Sequence, residues 1–92
     1  MMRVHKELLG LIEVLLKTQT QEGMYDFLQG ILTPKELLEI PNRLAIVKLL
    51  KKGVSQHDIA EKLHVGIATV TRGSRELQKG RFQKDYYRIW RR

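Results

Sequence analysis

Apolar residues recur at helical spacing along nearly the whole chain, and no stretch alternates as a strand would. Residues 4–17 place Val4, Leu8, Leu11 and Leu15 at heptad-like intervals, with Leu9, Ile12 and Leu16 beside them. A stripe that wide needs covering on more than one side. In a chain of 92 residues the cover is expected from a second subunit. Gln21 to Gly23 interrupts the pattern. A short helix is expected next, with Met24, Phe27 and Leu28 inward and Gly30 at its end. Thr33-Pro34-Lys35-Glu36 then reads as a helix start, with Thr33 as cap, Pro34 in the first turn and Glu36 reaching back. That helix should run through Leu37, Ile40, Leu44, Val47 and Leu50 to about Lys52, where Gly53 stops it. Pro41 removes one amide donor within it and is expected to kink or split it.

The segment from Ser55 to Leu77 predicts two short helices joined by a tight turn. Ser55 and Asp58 form a capping signal for the first, whose inner face carries Ile59, Ala60 and Leu63. His64-Val65-Gly66 makes the turn. Ile67, Val70 and Leu77 lie on the inner side of the second helix, and Lys79-Gly80 ends it. Ala68, Thr69, Thr71, Arg72 and Arg75 remain for the outer side. This is the layout of a helix-turn-helix, whose second helix enters the DNA major groove. Residues 81–92 are expected to form a last helix, with Phe82, Tyr86, Ile89 and Trp90 on one face and basic residues opposite.

The charge supports a polyanionic partner. The formal net charge is +7. Residues 1–50 hold six basic and six acidic side chains; residues 51–92 hold eleven basic and four acidic. The whole excess therefore sits in the half that carries the paired helices, where a polyanion would be held by counterion release. The chain has no cysteine, which excludes disulfides and cysteine-rich zinc sites. His5, His57 and His64 do not make a metal-ligand spacing, and no metal site is expected. No apolar run approaches membrane-spanning length and the start lacks a signal peptide, so the expected location is the cytoplasm. There is no Gly-rich phosphate loop, Ser55 and Ser74 lack an activating base, and Glu36 and Glu39 read as helix-start charges. An enzyme is not expected.

The segments I-L-T-P-K-E (31–36), Arg43, G-V-S-Q (53–56) and G-I-A-T-V-T-R-G-S (66–74) resemble the tryptophan-operon repressor family over about residues 24–79. The T-R-G-S run after G-I-A-T-V carries most of that resemblance. It implies an all-α, intertwined homodimer of about six helices per subunit. In that reading residues 1–92 are one domain, with a dimerisation core at 1–52, a helix-turn-helix at 55–79 and a C-terminal helix at 81–92. It also implies L-tryptophan as corepressor, with no other cofactor. The indole would lie between Arg43 and Arg72, since a guanidinium both stacks on an aromatic face and pairs with a carboxylate. Arg72 would hold the ligand carboxylate, and Gly73 would admit the ring close to the recognition helix. Thr33, and the carbonyl of Leu32 from the second subunit, would meet the ligand's polar groups. Glu76 stands where the family commonly has a serine near the ligand amine, and it can receive an ammonium or pair with Arg72.

The resemblance places Gln56, His57, Ile67, Ala68, Thr69, Thr71, Arg72, Arg75 and Lys79 towards DNA. Ala68 and Thr69 would meet thymine methyls or, through water, base edges. Arg75 and Lys79 would approach phosphate, which adds affinity without sequence information. The leading expectation is a dimeric, sequence-specific repressor gated by tryptophan on a palindromic operator. The alternative is a DNA-binding dimer with no corepressor or another small aromatic ligand. A third class is a helical interaction module whose basic face binds an acidic partner.

Overall fold

The computed structural model describes residues 3–83. Within them lie five helices: α1 Lys6–Lys17, α2 Gln21–Ile31, α3 Pro34–Lys51, α4 Gln56–Leu63 and α5 Ile67–Gln78. No described residue is in a strand, so the all-α expectation holds. The expected sixth helix at 81–92 falls mostly outside the described residues. Arg81 and Phe82 lie in a turn and Gln83 is in no helix.

The chain divides into two units, Met1–Leu37 and Leu38–Arg92. In the first, helix ends are set by local side chains. His5 Nδ1 accepts from the Leu8 amide at 3.2 Å and caps α1. The Val14 carbonyl accepts both the Thr18 amide at 3.1 Å and the Thr18 hydroxyl at 2.8 Å, which ends it. The break between α1 and α2 therefore lies at Thr18–Thr20, earlier than the expected Gln21–Gly23. Thr20 has a hydroxyl to cap α2, accepting from the Gly23 amide at 3.0 Å, and Gln21–Gly23 becomes its first turn. Gly30 does not end α2, which continues to Ile31 with Leu32 as its C-cap. The capping box at Thr33 is complete: its amide donates to Glu36 Oε1 at 2.8 Å, and the Glu36 amide donates to Thr33 Oγ1 at 3.1 Å.

No residue of α1 or α2 is buried in the single chain. Met24, Phe27 and Leu28 are half-covered, while Leu9, Val14 and Leu16 are exposed, Leu16 to 77%. An apolar stripe left open on helices of this length is a surface awaiting cover.

The second unit has a true core. Ile46 of α3, Ile59 of α4 and Val70 of α5 are buried together, with Leu49, Leu50, Val54, Ala60, Leu63 and Val65 packed around them. Of the kink or split expected at Pro41, the split does not occur: α3 is one element from Pro34 to Lys51. Proline removes only its own amide bond, and the bonds of neighbouring residues carry the helix past it. At Gly53 (φ 86) the chain leaves α3 through paired amide bonds, Gly53 to the Leu50 carbonyl at 3.0 Å and Val54 to the Leu49 carbonyl at 3.1 Å. Ser55 then caps α4 through the Asp58 amide at 3.1 Å.

α4 and α5 pack against each other across the turn His64–Gly66. His64 takes a left-handed conformation, with φ 56 and ψ 45, which a histidine tolerates less easily than glycine. Ile67 departs from expectation. It opens α5 and is 51% exposed, because the buried stripe of that helix begins at Val70. Thr71, expected on the outer side, is half-buried and donates its hydroxyl to Gln56 Oε1 at 2.8 Å, tying α5 to the start of α4.

α3 and α5 approach closely at Gly73. A Cβ there would stand 3.0 Å from Ile46 Cγ2 and 3.5 Å from Leu50 Cδ1. Ile46 is buried and β-branched, so it yields little. Gly73→Ala should therefore destabilise the fold. Overpacking of about 1–3 kcal/mol outweighs the helix propensity gain of about 1 kcal/mol, for a net loss of about 1 kcal/mol in chemical denaturation. An unchanged denaturation midpoint would show that the two helices can separate at no cost.

Candidate functional site

The close approach at Gly73 leaves a cleft of about 370 Å³ beside it, within the second unit. α3 contributes Ile40, Arg43, Leu44, Ile46 and Val47; α5 contributes Thr69, Arg72, Gly73 and Glu76. Arg81 and Phe82, from the turn after α5, complete the lining. Helical spacing explains the α5 side, since residues three and four apart share one face. The result is an apolar floor with guanidinium groups on it. Neither Arg43 nor Arg72 makes an ion pair among the described residues. Two unpaired guanidiniums over an apolar floor suit a flat apolar molecule that carries a carboxylate.

Of the residues expected at a ligand site, Arg43, Arg72, Gly73 and Glu76 all line this cleft. Gly73 has a second reason to lack a side chain, its contact with Ile46. Leu32 and Thr33 belong to the first unit, as the C-cap of α2 and the N-cap of α3. Glu76 is paired, but not with Arg72. Its Oε2 lies 3.1 Å from Lys79 Nζ and its Oε1 lies 3.4 Å from Arg81 Nε. The Lys79 hydrogen bond, aided by the charges of Lys79, Arg81 and Arg72, holds the Glu76 carboxyl below its ordinary value of 4.5. A carboxylate so depressed adds stability above its ordinary value and loses it as pH falls through the lowered one. Glu76→Gln should thus lower the melting temperature at pH 7, by an amount that shrinks as pH falls below the ordinary carboxylate value. A difference that persists unchanged at pH 3 would detach the effect from ionisation.

The outer surface of α5 presents Ala68, Thr69, Arg72, Arg75 and Lys79, all exposed, and Ile67 at its start. His57 is exposed on α4, with its Nε2 3.7 Å from Glu61 Oε2. Gln56 and Thr71 are half-buried and hold each other, so their first role is to set the angle between α4 and α5. Ile40, Leu44, Arg81 and Phe82 were not foreseen at the cleft. The signal for the last two was Gly80, a helix stop that turns the chain back on itself. Among the described residues no group of three or more His, Cys, Asp or Glu side chains could hold a metal ion. No described helix is long and apolar enough to cross a membrane.

Comparison with known proteins shows the family. The family model described as Trp repressor protein matches residues 6–90. A Trp operon repressor homolog of Xylella fastidiosa (strain M23) is 38% identical over 79 residues, 85% of each chain. One from Vibrio vulnificus (strain YJ016) is 44% identical over 66 residues, 70% of this chain and 65% of its own. One from Chlamydia caviae is 38% identical over 68 residues, 73% and 67%. No solved structure matches the chain. The chain belongs to the Trp repressor family, and it is a regulator of transcription, not an enzyme.

Proposed function

We propose that two copies of the chain form an intertwined homodimer that binds a palindromic DNA operator and is gated by L-tryptophan. One observation carries the reading: Arg43 and Arg72 line a single cleft between α3 and α5, while the other face of α5 is exposed and basic. A ligand in that cleft touches the helix that would read DNA. α4 and α5 then act as a helix-turn-helix, with α5 in the major groove and Ala68, Thr69 and Arg72 towards base edges. Arg75 and Lys79 approach phosphate, with Gln56 and His57 at the start of α4. The open apolar faces of α1 and α2 give the second copy its contact surface. In the dimer the two recognition helices face successive major grooves, about 34 Å apart. Leu32 and Thr33 of a second copy would complete the site around the ligand's polar groups. Tryptophan shifts the affinity for DNA by as much as it favours the DNA-competent arrangement. The chain would work in the cytoplasm, where operator and ligand meet.

Selection from random duplexes, with and without L-tryptophan, tests the proposal. Enrichment of a palindrome only when tryptophan is present is the expected result. Enrichment that ignores tryptophan favours the second reading, a DNA-binding dimer with no corepressor or another small aromatic ligand. The pairing of Glu76 with Lys79 and Arg81 is what speaks for that reading. Absence of any enriched sequence would remove both in favour of an acidic protein partner.

A further inference from the structure

We propose that Arg81 and Phe82 form an aromatic, cationic wall of the ligand cleft, and that Glu76 is the positioning residue holding this wall, not the acceptor of a ligand ammonium. The inference rests on reading the cleft as the site of an aromatic acid.

The wall is built by the way α5 ends. Gly80 takes φ 94, its amide donates to the Leu77 carbonyl at 3.0 Å, and the Arg81 amide donates to the Glu76 carbonyl at 3.1 Å. This pair of bonds stops the helix and turns the chain back. Phe82 follows with φ 63, a left-handed conformation that an aromatic residue adopts only when its surroundings impose it. Two ties impose it here. Lys51, the last residue of α3, donates from Nζ to the Phe82 carbonyl. The Glu76 carboxylate reaches Arg81 Nε at 3.4 Å. The turn after α5 is thereby fastened to both helices that form the cleft, and Arg81 and Phe82 line it.

The charges define the ligand class. Glu76 already carries two cations, one on each oxygen. An ammonium arriving there would meet Lys79, Arg81 and Arg72 as well as the carboxylate. A ligand carboxylate, in contrast, meets Arg43 and Arg72, neither of which is ion-paired to Glu76 or to another acid among the described residues. Phe82 lines the cleft beside Arg81 and gives a flat planar ligand an aromatic neighbour there. The site therefore selects a planar aromatic carboxylate, and Glu76 acts on it only through Arg81 and Phe82.

Calorimetric titration of the full chain with L-tryptophan, and with indole-3-propionate as the same ring and acid without the amine, tests this. Phe82→Ala should weaken both ligands about tenfold, and Phe82→Trp should restore them, because the ring is what is lost. Phe82→Leu, which keeps the bulk and is the fallback should the alanine variant not fold, should weaken them as well. Glu76→Gln should weaken both ligands by the same factor, and should add less to Phe82→Ala in the double variant than it costs the parent. The proposal is overturned if Phe82→Ala and Phe82→Leu bind as the parent does. It is equally overturned if Glu76→Gln weakens tryptophan alone, which would make Glu76 the ammonium partner. In those two outcomes the parent still binds and the proposed function stands. No heat from the parent with either ligand would overturn the proposed gating and this inference together.

Discussion

Arg72→Ala should weaken L-tryptophan binding by roughly thirtyfold or more and bring operator binding down with it. The arginine lines the cleft and is also exposed on α5, so one side chain serves both surfaces. A hydrogen bond to a charged group contributes about 1.5–3 kcal/mol, and stacking on an aromatic face about 0.5–2 kcal/mol. Their sum, ~2–5 kcal/mol, spans roughly thirtyfold to several thousandfold in affinity. The fold should not feel the change, because Arg72 is no part of the buried cluster of Ile46, Ile59 and Val70. Melting temperature should therefore stay within the range of an ordinary surface substitution. Arg72→Lys separates the two contributions. It keeps the charge but loses the plane and the fork, so DNA affinity should be partly retained and ligand affinity mostly lost. Calorimetry and mobility-shift titration read the two effects. An alanine variant that still takes up tryptophan with the parent's affinity would move the ligand to another place.

The parts of this fold that were legible in the sequence are those set by neighbours three or four residues apart. The Thr33–Glu36 capping box, the Ser55–Asp58 cap and the glycine stop at Gly53 are local signals, and each forms as read. The turn at His64–Gly66 was legible for the same reason, and His64 makes it in the left-handed conformation. What escaped the sequence is decided by contacts over longer separations. Pro41 has a local rule against it, yet α3 runs through, because one missing amide bond does not outweigh the burial of Ile46 and Val47 beyond it. Ile67 reads both as an inner residue and as one towards DNA, and it is exposed because the stripe that meets the core is phased on Val70. Gln56 and Thr71 lie fifteen residues apart, and nothing in composition or spacing marks them as a pair.

The cleft divides in the same way. Its two guanidiniums, Arg43 and Arg72, are far apart in the chain and were joined in advance only by the family resemblance. Glu76 was visible as a departure from the family, but its partners were not. Lys79 meets it at the i,i+3 spacing of one helical turn, whereas Arg81 reaches it because α5 ends at Gln78 and the chain folds back at Gly80. A helix one turn longer would have carried Arg81 away from the carboxylate. The position of a stop signal thus decides the chemistry at the mouth of the cleft.

That pairing also bears on how the chain meets DNA, and it predicts an unequal response to salt. Binding that neutralises phosphates loses affinity with a slope of about −0.9 per contact in a double-logarithmic plot. A dimer making about six phosphate contacts should lose on the order of a thousandfold between about 50 and 200 mM salt. Arg75 and Lys79 are both exposed on α5, yet they are not equivalent. Arg75 makes no ion pair among the described residues, whereas Lys79 lies 3.1 Å from the Glu76 carboxylate. A cation already neutralised by a neighbouring acid releases fewer counterions from DNA. Arg75→Ala should therefore flatten the slope by about 2, one contact from each subunit, and Lys79→Ala by clearly less. Adding Glu76→Gln to the parent frees Lys79 and should steepen the slope. Titrations across a range of salt concentrations read all three. Equal flattening by Arg75→Ala and Lys79→Ala would mean that the Glu76–Lys79 pair opens when DNA binds.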